Sequence, residues 1–387
     1  MSDVAVSVSP VLPASSIPSG SSSGSSEGVQ AVLGDALGVK IDGEVENKQT
    51  EVVDNGPPEV WVKLTFSWSG KSTTIEVAES DRVFDLKATL FNLTNVPAER
   101  QKILGLVKGK LPPDEETIAS LKLTTGKKFM LVGTPIGDEL KDPSQLAYLP
   151  DVFNDLDIDF SQYPEAAAQY LNDRRNQRKV REATQKLQVN IIEPLRPQKK
   201  LLVLDIDYTI LDTKPLLDGS LPPMECTRPY LHRFLEEIYP FYDICVWSQT
   251  SWVWLETKLY EIGVLGGDKT YKINFVLDAT CMFKVFSSRD GKRYDHHVKP
   301  LQIIWNKFPQ YNASNTIHVD DLGRNFALNP GQGLKISAYK NARDPASLAD
   351  RELQKLARYM VLISRIEDLR SINHKDWKKV ARSLAPS

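Results

Sequence analysis

The stretch that most constrains this chain is Leu201-Leu202-Val203-Leu204-Asp205-Ile206-Asp207. Four consecutive apolar residues fit a short strand covered on both faces, and such strands belong to parallel sheets flanked by helices. This one runs straight into two carboxylates separated by one residue. Ligands in open α/β sheets bind at the carboxyl ends of strands, where Asp205 and Asp207 would sit. Residues i and i+2 of an extended segment project to the same side, so the two acids share one small space. They repel unless a proton or a cation lies between them. Mg²⁺ suits the place, since it prefers oxygen ligands and keeps some of its water. An EF-hand loop opens with the same spacing, but it requires Gly where Ile210 stands and a bidentate acid where Leu216 stands.

The surrounding region, 199–339, alternates apolar runs with helical patterns. Strands are expected at 201–204, 242–247, 273–277, 316–319 and 334–337, with helices at 230–238, 253–262 and 301–308. A helical segment over 344–370 closes the unit. Three of these elements end in residues suited to the same chemistry. Cys245-Val246-Trp247-Ser248 ends in a hydroxyl able to bond a phosphoryl oxygen. Val298-Lys299-Pro300 places an ammonium just before a helix, where it would neutralise a transferring group. His318-Val319-Asp320-Asp321 ends in acids able to complete a metal site. Between the second and third of these, 280–297 is short and reads as a hairpin turning at Arg289-Asp290-Gly291, which leaves no room for a separate cap domain. An uncapped site stays open to a phosphorylated protein segment. The adjacent His296 and His297 point to opposite faces of a strand and are expected in a loop or surface role rather than on a metal.

Upstream, 1–57 is rich in Ser and Gly and reads as a disordered tail. From Val60 to Trp68 apolar residues alternate. Ser69-Gly70 marks a turn, 73–77 supplies a second strand, and Ser80-Asp81 offers a helix cap before Val83, Leu86, Leu90 and Leu93. Two short strands, 102–106 and 129–132, complete a ββαββ unit over 58–135. The segment 136–197 reads as an acidic linker, 138–160, followed by a basic helix within 166–187. The basic run suits either a solvated face or a nuclear import signal. The catalytic unit is placed at 198–380. With a net charge of −2, bulk electrostatics favours neither nucleic acid nor an anionic membrane. No apolar run is long enough to span a bilayer. Three sparse cysteines form no disulfide framework and suit a reducing compartment.

Two resemblances add to this reading. Val62-Lys63-Leu64, Gly70-Lys71-Ser72-Thr73, the helix at 83–90, Pro97 to Leu104 and Lys128 to Val132 follow the order of ubiquitin, a β-grasp α+β fold. The unit ends Val132-Gly133-Thr134-Pro135 without a Gly-Gly tail, so docking rather than conjugation is implied. Asp205-x-Asp207-x-Thr209, Trp247-Ser248-Gln249-Thr250, Lys299-Pro300 and Asp320-Asp321-x-x-x-Asn325 resemble the four motifs of the haloacid dehalogenase superfamily, in its branch acting on the RNA polymerase II C-terminal domain (CTD). That resemblance implies a doubly wound α/β sheet and Mg²⁺ as cofactor. Asp205 would be the nucleophile and Asp207 the acid/base. Thr209, Ser248 and Lys299 would bind phosphate, and Asp205, Asp207 and Asp320 the metal, with Asp321 and Asn325 around it. Arg228-Pro229 resembles a step the family places before a helix.

The two units together resemble phosphatases that carry a ubiquitin-like domain. The resemblance implies a Mg²⁺-dependent protein serine/threonine phosphatase that docks on the 26S proteasome regulatory particle and dephosphorylates its subunits. The expected setting is the nucleus, with the cytoplasm second, and neither membrane nor direct nucleic-acid binding is expected. Strand alternation and the ubiquitin likeness point to Leu104 as the docking residue, with Lys102, Lys108 and Lys110 as a basic rim. Two alternatives stay open: a phosphatase of the polymerase tail, and a catalytically weak scaffold that binds the proteasome.

Overall fold

A computed structural model describes residues 58–136, 158–289 and 292–383. The Ser/Gly-rich tail and most of the expected acidic linker lie outside these residues, as does the tip of the expected hairpin.

The first unit opens with β1 (Trp61–Trp68) and β2 (Lys71–Ala78), joined by Ser69 and Gly70. Both loop residues have positive φ, 47° and 75°, the combination a two-residue hairpin needs to match the strand twist. Then come α1 (Val83–Thr94), β3 (Lys102–Leu104) and β4 (Lys127–Val132). The strand order is β2-β1-β4-β3, with β1 and β4 parallel. Val62, Leu64 and Phe66 alternate inward against Leu86 and Leu90. The helix cap differs from expectation. Arg82 is the cap residue, and Asp85 reaches back to its backbone N–H at 3.0 Å. Asp81 instead accepts the Ala78 N–H at 2.9 Å. Leu93, expected on the buried face, is exposed, and the helix ends one residue later.

The second unit begins upstream of residue 198. The helical stretch is two helices, α2 (Pro164–Leu171) and α3 (Arg174–Lys186), because Asp173 caps a new start by accepting the Arg175 N–H. After β5 (Asn190–Ile191) and β6 (Lys200–Leu204) come α4 (Thr213–Leu217), α5 (Leu231–Ile238), β7 (Tyr242–Trp247), α6 (Trp252–Glu261) and β8 (Phe275–Leu277). A hairpin, β9 (Phe283–Arg289) and β10 (Lys292–Val298), leads to α7 (Gln302–Lys307), β11 (Thr316–Asp320) and β12 (Gly333–Lys335). The six-stranded sheet has the order β12-β11-β6-β7-β8-β5, parallel except for β5. Among the described residues, one 3-10 turn (Ala279–Cys281) and that hairpin separate β8 from Lys299, with no cap domain between them.

Alternation along the strands builds two cores. Leu202, Leu204, Ile244 and Val246 face Phe234, Leu235, Leu356 and Met360. Leu201, Val203, Cys245 and Trp247 face Ile303 and Ile304. Burying each such side chain stabilises the fold by about 1.5–3 kcal/mol. The closing segment is broken where one helical stretch was expected: its main helix, α8 (Glu352–Ile363), covers the first core, and after two single turns a last helix, α9 (Trp377–Ser383), adds Trp377, Val380 and Ala381 to that core.

Two expectations are corrected here. His296 is buried on β10, stacked on Phe160 at 6.1 Å and edge-on to Tyr170 at 5.8 Å. Burial pushes its imidazole down to about 4, so it is a neutral core residue. The end of the expected linker is also packed. A Cβ on Gly323 would lie 2.5 Å from the Asp159 Cα, so glycine is required for this close approach.

Candidate active site

β11, β6 and β7 are adjacent and parallel, so their carboxyl ends bring Asp320, Asp205 and Ser248 to one place. The Asp205 N–H continues the ladder to Val319 O at 3.0 Å. Beyond it the chain turns sharply. Tyr208 sits at φ 59°, a left-handed conformation that costs a non-glycine residue about 1–2 kcal/mol. Tyr208 N–H to Leu211 O (2.8 Å) and Tyr339 N–H to Tyr208 O (2.6 Å) hold it there. The turn folds Thr209 back under the first acid. Its hydroxyl donates to Asp205 at 2.8 Å and accepts the Asp321 N–H at 3.1 Å.

Lys299 is buried between Asp205 and Asp320. Its ammonium donates to both carboxylates, to Asp320 at 2.8 Å. Asp320 also accepts the Asn325 side-chain amide at 2.8 Å and the Leu322 N–H at 2.8 Å. Asp207 turns to the other side of the site. One of its oxygens accepts from Thr213 at 2.8 Å, the other from Ser248 at 2.9 Å. Ser248 in turn accepts the Thr250 N–H at 3.2 Å.

The electrostatics separate the acids. Burial, then the neighbouring Asp320, push the Asp205 carboxyl well above the ordinary carboxylate range, against the pull of Lys299. Burial also raises Asp207, against the hydrogen bonds of Thr213 and Ser248. Asp320 is equally buried, yet Lys299 and His318 hold it below the usual range. One lysine thus serves several buried acids. Asp205, Asp320 and Asp321 each offer an oxygen, and these lie within 4.8 Å of one another. An all-carboxylate set with excess negative charge fits a hard divalent cation. Asp321, expected around the metal, belongs to this group. Asp207, expected as a ligand, has its carboxylate engaged by Thr213 and Ser248 instead.

Sequence reading missed Thr213, whose role arises only when its loop returns to Asp207, and gave Thr250 no role beyond its place in the second motif, where its N–H and hydroxyl bond Ser248. It also left Arg228 without a clear part. Its guanidinium is buried and donates to Thr209 O at 2.9 Å and Ser337 O at 2.8 Å, while pairing with Asp350 at 2.9 Å. It pins the loop carrying Thr209 to the segment after β12.

Residues 200–370 match the family described as NLI interacting factor-like phosphatase, and 61–136 match the ubiquitin family. Both matches fall on the two units described above. The ubiquitin-like domain-containing CTD phosphatase 1 of Gallus gallus is 40% identical over 327 residues, 82% of this chain and 97% of that protein. The chain belongs to the family of ubiquitin-like domain-containing CTD phosphatases. Its relatives with the same name in Danio rerio (39% over 324 residues) and Homo sapiens (40% over 325) are likewise covered at 97% and 96%, each by 82% of this chain. The cluster at the end of β6 brings together the residues named from the family's motifs, with Asp205, Asp320 and Asp321 forming a group that could hold a metal ion.

Proposed function

We propose that this phosphatase hydrolyses phosphoserine and phosphothreonine in proteins through a phosphoryl group carried on Asp205. The observation that carries the reading is the split between the two acids. Asp205 lies against Lys299 and Thr209, whereas Asp207 lies across the site on Ser248 and Thr213. An Asp205 oxygen attacks phosphorus as the bond to the serine or threonine oxygen breaks. Asp207, whose carboxyl burial pushes up from the ordinary range, gives its proton to that leaving oxygen. Asp207 then takes a proton from water, the water oxygen attacks phosphorus, and the bond to Asp205 breaks to release phosphate. Mg²⁺ held by Asp205, Asp320 and Asp321 would supply charge neutralisation for the nucleophile and the transferring group. Ser248 and Lys299 would orient the phosphoryl oxygens.

Asp207→Asn tests the acid role through the leaving group. On a phosphoserine peptide, whose alkoxide leaves poorly, kcat/KM, which reports the step in which the leaving group departs, should fall about 10²–10⁴-fold. On an aryl phosphate, whose phenolate leaves without help, the fall should be much smaller. Equal losses on both substrates would refute the role.

The ubiquitin-like domain is proposed to dock the enzyme on the 26S proteasome regulatory particle, within the nucleus, with proteasome subunits as substrates. Leu104 supports this reading: it is 52% exposed and paired across the sheet with Met130, 51% exposed. Exposed Lys102, Lys108 and Lys110 lie in and just beyond the same strand. Leu104→Ala should weaken capture of purified proteasomes by about tenfold, as loss of an interface anchor does. Undiminished capture would reject Leu104 as the anchor. The name of the relatives favours a second substrate, the polymerase tail. Faster turnover of phosphorylated tail peptides than of proteasome-bound subunits would select it.

A further inference from the structure

The basic helix α3 lies between the two domains: Arg181 and Lys186 are exposed, whereas Arg178 and Lys179 turn into the seam. Its apolar side, Val180, Ala183 and Leu187, packs on the catalytic core. Its charged side grips the ubiquitin-like domain. Arg178 donates to both Glu59 oxygens at 2.7 Å, pairs with Asp81 and lies over the Trp61 ring at 5.0 Å. Lys179 pairs with Asp85 at 2.6 Å and donates to Lys284 O on β9 at 3.1 Å. Arg175 donates to Ser80 O at 3.2 Å. Next to these, Phe84 packs on Phe286 of the same hairpin strand with ring centroids 5.4 Å apart, and the Arg82 guanidinium lies 4.7 Å from the Phe286 centroid. Leu104 and Met130 stay exposed and outside this clasp.

The hairpin that is gripped is the one that delivers the catalytic lysine. β9 and β10 pair from Arg289↔Lys292 to Phe283↔Val298, and Lys299 follows directly. Val285 and Val298 anchor the root of the hairpin beside Phe326 and Ala327. Lys299 has to hold one ammonium between Asp205 and Asp320, and a misplacement of about 1 Å at such a centre costs on the order of 10²-fold in rate.

We propose that the ubiquitin-like domain braces the β9–β10 hairpin through Arg178, Lys179 and the Phe84–Phe286 contact, and thereby sets the position of Lys299. Arg178, Lys179 and Phe286 are positioning residues for phosphoryl transfer, and the inference rests on the phosphatase reading. A partner that draws the domain off the clasp would slow turnover even of substrates too small to reach that domain.

The test uses the full chain and a small aryl phosphate. The double reversal R178E/K179E sets acids against Glu59, Asp81 and Asp85, so the clasp opens. Its kcat should fall about tenfold, with KM within about twofold of wild type, because Lys299 acts on the transferring group. Phe286→Leu keeps every charge and should lose about threefold in kcat, again at constant KM. Unchanged kcat in R178E/K179E, or a loss confined to KM, would overturn the proposal. If that variant does not fold, unchanged kcat in Phe286→Leu overturns it. No hydrolysis by the wild type would defeat the phosphatase reading instead.

Discussion

Asp205→Asn should lower kcat on a small aryl phosphate by roughly 10⁴–10⁶-fold, the scale seen when a covalent nucleophile is removed. The amide keeps the shape of the carboxylate and its one oxygen can still accept from Lys299 or Thr209, though not from both, so binding should change less than turnover. Two of the neighbouring acids are engaged elsewhere. Asp320 is committed to Lys299, Asn325 and the Leu322 N–H, and Asp207 faces Ser248 and Thr213. Wild-type turnover should also vanish with a chelator and return with Mg²⁺, since Asp205, Asp320 and Asp321 crowd three acids into one site. The measurement is initial rate against substrate, with and without the metal. Turnover surviving in Asp205→Asn would assign the nucleophile elsewhere.

Lys299→Ala should be the most damaging single change to the site as a structure. Lys299 is buried and its ammonium is shared by Asp205 and Asp320. Removing one partner of a buried ionic cluster costs about 3–5 kcal/mol, because the remaining charges stay desolvated and unpaired. For a domain of this size that is a fall of roughly 6–20 °C in melting temperature. Turnover should drop about 10²–10³-fold as well, the effect of losing one stabilising donor at a developing charge. The two effects can be separated with Mg²⁺. A divalent cation should recover part of the melting temperature by neutralising the same carboxylates, but not the rate, because the phosphoryl group still lacks its lysine. Thermal unfolding and initial rates, each with and without Mg²⁺, check both. A melting temperature unchanged from wild type would mean that the acids do not depend on Lys299.

Much of the site could be read along the chain because each part obeys a local rule. A buried strand ending in Asp-x-Asp declares itself through hydrophobicity followed by charge, and the ends of parallel strands converge whatever the loops do. The roles that escaped are those of residues whose meaning depends on distant neighbours. Thr213 matters only because a turn returns it to Asp207. Arg228 matters because its guanidinium meets two carbonyls 19 and 109 residues away in sequence. His296 read as a loop or surface residue because its type is ambiguous. Its burial comes from Phe160, at the end of the expected linker, and Tyr170, in the helix after it.

By itself, the sequence determined that this protein has a β-grasp unit and a parallel α/β unit, and that its acids gather at the ends of the central strands. Periodicity and strand-end position are properties of the local chain. Only the tertiary structure decided which acids share a site and where the basic helix spends its charge. Asp321 joins Asp205 and Asp320 because β11 lies beside β6, while the left-handed turn at Tyr208 carries Thr209 beneath them. Arg178 and Lys179 look like a solvated face in one dimension. In three they are paired with Glu59, Asp81 and Asp85, because desolvated charge is stable only where opposite charge meets it, and that depends on how the two domains pack.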